Sequence, residues 1–274
     1  MLTPTLNQND IINGYIGGKS VLALSHQYKT NTHVINKILK NNGILKISQA
    51  KRLNPSLKEN YFEQINDKNK AYWLGLILTD GTVNYSNDNL QISLVKEDEY
   101  ILYLFEQDLG IENHVKPFCE KYSRFSFGSK IMLQDLIQYG IIPNKTLTLK
   151  FPENIPEKFE THLLRGMFDG DGGFTLGTTT RFYKHRNKSY TKPYQELSFT
   201  GTYEMCKGFQ NILLKHIDIP KKNITPNHSI YRIRWSNKEE IIQILNLLYQ
   251  DCDNHYLKRK YKLYQKLKEG DCHD

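Results

Sequence analysis

Two apolar segments of the chain share one spacing of apolar and small residues. The first covers residues 71–81, AYWLGLILTDG, and the second covers residues 155–174, IPEKFETHLLRGMFDGDGGF. In the second, apolar residues recur four positions apart, as Leu163 and Met167 do, which is the spacing of a packed helix. Pro156 suits the first turn of such a helix, where its missing N–H is tolerated. The pattern therefore predicts one helix in each segment.

Each predicted helix carries two small residues four positions apart. They are Gly75 and Thr79 in the first helix, and Gly166 and Gly170 in the second. A glycine inside a helix costs about 1 kcal/mol relative to alanine. A stripe of such residues is therefore best explained by another backbone packed closely against it, as in small-xxx-small helix pairs. We expect these two stripes to pack against each other.

Both predicted helices end in Asp-Gly, at Asp80-Gly81 and Asp171-Gly172. A carboxylate at the negative end of a helix is unfavourable unless a cation lies beside it. Either segment alone could be an ordinary capped helix. Two copies about 90 positions apart instead indicate an internal duplication.

Strand and helix patterns alternate in the same order after each of these helices. Strands are predicted near residues 90–94, 124–127, 196–200 and 231–235, and helices near 97–108, 131–139, 203–216 and 238–249. Corresponding elements lie about 105–110 positions apart, farther than the first helices of the halves, so the second half contains an insertion. Each half is therefore predicted as helix, hairpin, helix, hairpin, helix.

The insertion is strongly basic. No acidic residue occurs from Phe174 to Tyr194. We expect a long β-hairpin that turns near residues 186–188 and fits a DNA major groove. A solvated loop, which would more often mix both signs of charge, is the alternative. The basic residues assigned to DNA here are Arg181, Lys184, Arg186 and Lys188.

The aligned segments WLGLILTDG and LRGMFDGDG resemble the LAGLIDADG homing endonucleases in their single-chain, two-repeat form. They share glycine at the third place, apolar residues at the fourth and fifth, and Asp-Gly at the end. The resemblance covers roughly residues 70–265, but Thr79 and Gly170 replace the small alanine of the motif. It implies an α+β fold of two pseudo-symmetric αββαββα repeats packed through their motif helices, with repeats at residues 56–150 and 151–274.

The resemblance implies site-specific cleavage of both DNA strands, leaving short 3′ overhangs. Phosphodiester hydrolysis needs an activated water and a leaving oxygen relieved of charge, and divalent metals supply both. Asp80 and Asp171 would hold Mg²⁺, with Mn²⁺ able to substitute. Backbone carbonyls at Thr79 and Gly170 would complete the few protein ligands that Mg²⁺ prefers.

The resemblance also implies a basic residue near the cut phosphates beyond the last helix of each half. The matching residues are Lys145 in the first half and Lys260 in the second, with an ordinary phosphate contact or a solvated charge as the alternative. It further implies that the outward sides of both sheets face DNA. The residues there are Arg124, Ser126, Arg232 and Arg234.

Residues 1–55 differ from the rest of the chain. Ser20 can cap one short helix and Asn31 or Thr30 a second, with a turn at residues 28–30 between them. This order resembles a DNA-binding helix-turn-helix, and a small packing bundle is the alternative. The exposed residues of the second helix that suit DNA are Asn36, Lys37 and Lys40.

Bulk composition agrees with a nucleic-acid partner. The chain has 274 residues, a mass of 32.2 kDa, a formal net charge of +8 and a pI near 9.1. A polyanion is the expected partner, here double-stranded DNA with a long, near-asymmetric target. No signal peptide or apolar run of about 18 residues is present, and the four cysteines lack metal-site spacing. We expect a cytoplasmic monomer of a bacterial or phage-infected cell with reduced thiols.

Several function classes remain open or are excluded. The loop after Asp169 lacks the glutamate of an EF-hand, since Thr180 occupies that place. The ends of the chain lack intein junctions, which favours a free-standing or intron-encoded enzyme. The main alternative is a non-cleaving DNA- or RNA-binding protein, either a transcription regulator or an intron maturase. A basic module that docks another protein is a third reading.

Overall fold

The computed structural model describes residues 7–44, 48–143 and 147–269. The chain divides into two compact units. The first is Met1–Glu59 with Gln107–Glu112, and the second is Asn60–Glu106 with Asn113–Asp274. Among the described residues, no helix combines the length and the apolar character needed to cross a membrane.

The first unit is helical. Its helices are α1 (Gln8–Ile16), α2 (Val21–Gln27), α3 (Thr32–Asn41) and α4 (Gln49–Leu53). Ser20 caps α2 by accepting from Ala23 N, and Asn31 caps α3 by accepting from Val34 N. Lys29 has a left-handed backbone in the turn between them. The predicted pair of capped helices is present, and α1 and α4 were not predicted. The helix-turn-helix assignment and DNA reading by α3 stay predictions.

The second unit contains two halves with the same order of elements, apart from residues 107–109, which fall in the first unit. The first half comprises α5 (Lys68–Asp80), β1 (Gly81–Asn84), β2 (Asn89–Val95), α6 (Glu99–Leu109), β3 (Val115–Pro117), β4 (Tyr122–Gly128) and α7 (Lys130–Ile137). The second half comprises α8 (Glu160–Asp171), β5 (Gly172–Tyr183), β6 (Lys188–Gly201), α9 (Tyr203–His216), β7 (Thr225–Asn227), β8 (Ile230–Trp235) and α10 (Lys238–Tyr249). The predicted α+β fold with two αββαββα halves is therefore confirmed. A further helix, α11 (Lys258–Glu269), follows the second half and was not predicted.

The two sheets have matching topology. Their strand orders are β1-β2-β4-β3 and β5-β6-β8-β7, and all neighbouring strands are antiparallel. Residues alternate between the two faces of each sheet. Leu90, Ile92 and Phe125 are buried on one face of the first sheet, while Arg124 and Ser126 point to the opposite, polar face.

The second motif helix begins later than predicted but ends where predicted. Pro156 has an extended backbone (φ −59°, ψ 134°) and precedes a 3₁₀ turn at Glu157–Phe159, so the α-helix begins only at Glu160. At its other end, the backbone of Gly172 is extended (φ −80°, ψ 138°) and starts β5. Asp171 is therefore the last residue of α8.

The stripes of small residues on α5 and α8 lie against each other. A Cβ atom added to Gly75 would be 2.2 Å from the carbonyl oxygen of Leu163. One added to Gly166 would be 2.0 Å from the carbonyl oxygen of Tyr72. Neither position can hold a side chain without moving one backbone away from the other. The two motif helices thus touch backbone to backbone at the centre of the second unit.

Gly166→Ala tests this contact by the sign of its effect. In a solvent-facing helix, the change would raise the free energy of unfolding by about 1 kcal/mol. Here the added methyl group meets the α5 backbone, so we expect a loss of about 1–3 kcal/mol. Gly177→Ala, in β5 where nothing lies within 4 Å of the added Cβ, is the control and should leave stability nearly unchanged. Denaturant unfolding measures both, and a more stable Gly166→Ala would contradict the packing.

Candidate functional site

The site lies where the two motif helices end side by side. Asp80 is the last residue of α5, and Asp171 is the last residue of α8. The Oδ2 atom of Asp80 is 3.2 Å from the position that a Cβ of Gly170 would take. Asp80 is half-buried and Asp171 is exposed, so both carboxylates can be reached from solvent. The contact between the helices therefore brings these two acidic ends together.

The oxygen groups at the two helix ends are too few to enclose a metal ion, and they suit an ion that also binds a phosphate and water. No group of three or more His, Cys, Asp or Glu side chains within residues 7–44, 48–143 and 147–269 is placed to hold a metal ion. Mg²⁺ commonly binds through one or two carboxylates and completes its shell with phosphate oxygens and water. Metal binding by Asp80 and Asp171, with the carbonyls of Thr79 and Gly170, stays a prediction.

A small cavity adjoins Asp171. Its volume is about 100 Å³, and its lining includes Thr79, Thr200 and Met205.

Lys260 lies at the carboxyl end of α8. Its Nζ donates to the carbonyl oxygens of Phe168 (2.5 Å), Asp169 (2.8 Å) and Gly172 (2.6 Å), and the side chain is buried. An ammonium has three N–H donors, so all three are engaged. Burial lowers the pKa of Lys260 to about 8, against the opposing charge of Asp169. This lysine supplies a cation at the negative end of α8, and it could donate to a phosphate only by releasing a carbonyl.

The catalytic roles assigned to the two lysines stay predictions. Lys145 lies outside the described residues. Lys260 is close enough to the motif helices to influence the site. Its hydrogen bonds indicate that it also holds the end of α8 in position.

A buried polar network beside Lys260 was missed by the sequence reasoning. The Asp169 carboxylate accepts hydrogen bonds from the Tyr72 hydroxyl and the Leu257 amide, both at 3.0 Å. Arg165 donates through Nε to the His255 carbonyl at 2.7 Å and through Nη1 to the Leu248 carbonyl at 3.1 Å. Both charged side chains are buried. The network joins α5, α8 and the segment before α11.

A sequence signal for this network does exist. Arg165 and Asp169 are four positions apart, the spacing at which opposite charges on a helix meet. The corresponding places of the first motif hold Leu74 and Leu78. Two opposite charges inside an otherwise apolar helix indicate buried partners elsewhere in the chain.

The outward faces of the two sheets carry arginines in matching registers. In the first sheet Arg124 pairs with Ser93, and in the second Arg234 pairs with Ser198. Arg232 lies two positions before Arg234 on the same face, paired with Thr200. Each half therefore presents basic groups at the same position of its sheet, Ser126 lying beside Arg124 in the first.

The long hairpin belongs to the second half alone. Strands β5 and β6 have 12 and 14 residues, whereas β1 and β2 have 4 and 7. The hairpin turns through a 3₁₀ segment at Lys184–Arg186 and a left-handed Asn187 (φ 45°). Arg181, Lys184 and Lys188 are exposed, and the side chain of Arg186 lies outside the described part.

In the first unit, the residues assigned to DNA lie on one exposed side of α3. Asn36, Lys37 and Lys40 are exposed, whereas Ile35 and Leu39 are buried in the helical core. The geometry thus presents these polar groups to solvent together.

Comparison with solved structures identifies the fold. The LAGLIDADG meganuclease I-CpaMI bound to uncleaved DNA aligns over 73% of this chain and 89% of its own, with a TM-score of 0.53 and 12% identity. The LAGLIDADG meganuclease I-AabMI bound to uncleaved DNA aligns over 72% and 88%, with a TM-score of 0.50 and 14% identity. The meganuclease I-SmaMI bound to uncleavable DNA aligns over 72% and 88%, with a TM-score of 0.50 and 12% identity. Neither a protein-family model nor a curated protein matches the sequence. The chain therefore has the fold of the LAGLIDADG meganucleases.

The buried Asp169 should make stability depend on pH. Burial raises its pKa from 3.8 to about 6 in the folded protein. The folded protein thus binds this proton more tightly than the unfolded chain. Protonation of Asp169 therefore contributes fully to the free energy of unfolding below pH 4, and this contribution is lost as pH rises through 6. The shift corresponds to roughly 3 kcal/mol. Between pH 4 and pH 6, Lys260 stays protonated in the folded and the unfolded protein. It therefore does not change how the free energy of unfolding depends on pH in this range.

Asp169→Asn keeps a hydrogen-bonding side chain but removes the titration. As pH rises from 4 to 6, we expect the free energy of unfolding of the wild type to fall relative to that of this variant. Asp218→Asn, at an exposed position, is the control and should follow the wild type. Denaturant unfolding over a pH series measures this difference. Parallel curves for wild type and Asp169→Asn would show that the carboxyl titrates at its ordinary pKa.

Proposed function

We propose that this protein is a site-specific, metal-dependent DNA endonuclease that cuts both strands and leaves short 3′ overhangs. The observation that carries the proposal is the backbone contact of α5 and α8, which places Asp80 and Asp171 at neighbouring, accessible helix ends. The shared fold with the DNA-bound meganucleases I-CpaMI and I-AabMI supports the assignment.

The chemistry follows from the charges of substrate and site. A carboxylate near a phosphodiester is repelled by it unless a cation lies between them. When bound, Mg²⁺ or Mn²⁺ would polarise the phosphate, relieve the leaving oxygen of charge and lower the pKa of a water. Asp80 and Asp171 would hold the metal with the carbonyls of Thr79 and Gly170, while Lys260 holds the end of α8 in place.

The surfaces around the site suit a long duplex. The outward sheet faces and the basic hairpin would contact DNA on both sides of the cut, and the net charge of +8 favours a polyanion. Because only the second half has the long hairpin, the two halves would recognise different sequences. The target should therefore be near-asymmetric, and both acidic helix ends come from one chain, as a monomer requires.

The pair of accessible carboxylates distinguishes the proposed nuclease from a regulator or maturase with the same fold. Binding alone gains nothing from two accessible carboxylates placed together, because they repel phosphate. DNA binding with no metal-dependent cutting would favour the regulator, and RNA binding would favour the maturase.

Asp80→Asn and Asp171→Asn should each abolish double-strand cleavage and leave DNA affinity within a few-fold. The reason is that each carboxylate acts through the metal and contributes no attraction to phosphate. Linearisation of a plasmid library carrying candidate targets measures cleavage, and EDTA should stop it. Asp218→Asn, exposed and distant in sequence from both motifs, is the matched control. Full cutting by the doubly substituted protein would contradict the site.

Lys37→Ala with Lys40→Ala tests DNA contact by α3. Each lost phosphate contact reduces the slope of log K against log salt by about 0.9, so we expect a reduction of about 1.8. Both side chains are exposed, so stability should not change. A salt titration of DNA affinity measures the slope, with exposed Lys207→Ala and Lys221→Ala as the control pair. An unchanged slope would mean that the helices of the first unit serve only packing.

A further inference from the structure

The turn between β3 and β4 brings an aromatic ring over an arginine of the first sheet. The Cζ atom of Arg124 lies 3.2 Å from the ring centroid of Phe118. The turn is closed by a hydrogen bond from Phe118 N to Tyr122 O at 2.8 Å, and it passes through a left-handed Cys119 (φ 84°). A left-handed backbone is unfavourable for a cysteine, so tertiary structure must maintain this turn. The turn thereby holds the ring on one face of the guanidinium.

A serine of the neighbouring strand holds one edge of the same guanidinium. Arg124 Nε donates to Ser93 Oγ at 2.9 Å, and the two residues are directly opposite in the β2–β4 register. Among the described residues, the Arg124 side chain makes this one hydrogen bond. The ring and the serine together limit rotation of the side chain. Within the described part of the chain, Nη1 and Nη2 of Arg124 make no hydrogen bond, so the edge that they form is available to a ligand.

That edge has the donor pattern that a guanine accepts. Guanine presents two acceptors in the major groove, O6 and N7, and arginine binds them with two parallel hydrogen bonds. Adenine presents N7 beside an N–H donor, which would oppose an arginine donor. An arginine held in place before binding also loses less conformational freedom on binding.

The equivalent arginine of the second sheet is held differently. Arg234 has the same register, opposite Ser198, but its Nη1 lies 3.9 Å from a carboxylate oxygen of Glu196. No aromatic ring is stacked on it among the described residues. The arrangement around Arg124 is thus specific to the first half and does not follow from the sheet topology.

We propose that Arg124 determines specificity for one guanine in the half of the target that the first sheet contacts, and that Phe118 and Ser93 are its positioning residues. This rests on the proposed function, because it requires a DNA duplex on the outward face of the sheet. Replacing Arg124 should reduce the preference for guanine at one base pair by roughly tenfold to a hundredfold. Removing the Phe118 ring alone should reduce the same preference by about two- to fivefold.

The test is selection of bound sequences from a randomised duplex library with the full-length protein, followed by sequencing. Wild type is compared with Arg124→Lys, which keeps the charge but lacks the two-pronged donor, and with Phe118→Leu. Tyr122→Leu is the matched control, because Tyr122 is an exposed aromatic at the start of β4 and, among the described residues, has no guanidinium stacked on it. Melting temperatures of all variants establish that each is folded.

We expect the wild type to select guanine at one position that Arg124→Lys no longer specifies, while overall affinity stays similar. Phe118→Leu should weaken the same position only, and Tyr122→Leu should weaken none. If the wild type selects a sequence but Arg124→Lys keeps every preference, or relaxes a position that is not guanine, the inference is overturned. Equal effects of Phe118→Leu and Tyr122→Leu would overturn the role of the ring. If the wild type selects no sequence at all, the proposed function itself fails, which is a distinct result.

Discussion

Two helices of the second unit, α5 and α8, meet backbone to backbone. Gly75 meets the Leu163 carbonyl, and Gly166 meets the Tyr72 carbonyl, at distances that exclude any Cβ atom. Because main chain rather than side chains sets this separation, the ends of the two helices are placed with little freedom. The location of Asp80 and Asp171, and the way both sheets extend from the helix ends, follow from that contact.

Around this shared centre, the two halves have diverged. The second motif helix holds buried charges at Arg165 and Asp169, where the first has leucines. Arg165 and Asp169 bind the main chain of the segment that leads into α11, and Lys260 in turn binds the carbonyls at the end of α8. Burying such groups is costly unless they are paired, and here each has several partners. The second motif helix is thus held by buried polar contacts at places where the first motif helix has apolar side chains.

Local patterns predicted most helices and strands of the two halves, but they missed α1, α4 and α11 and could not reveal contacts between distant residues. The limits of α9 and α10 agree with the prediction because their caps and apolar periodicity are encoded locally. The prediction of the start of α8 was wrong because Pro156 takes an extended conformation that local spacing does not reveal. The three carbonyl partners of Lys260 could not be predicted, since they lie about 90 positions away in sequence. The same holds for the ring of Phe118 over Arg124, which depends on the backbone of a turn.

In the proposed function, the paired helix ends hold metal at the phosphates of bound DNA. Anomalous diffraction from crystals of the protein with a selected duplex and Mn²⁺ tests it most directly. We expect the anomalous signal beside the carboxylates of Asp80 and Asp171, at about the 2.1 Å typical of such small divalent ions and oxygen ligands. Signal absent there while DNA occupies the sheet faces, or Mn²⁺ bound only elsewhere on the protein, would contradict the account.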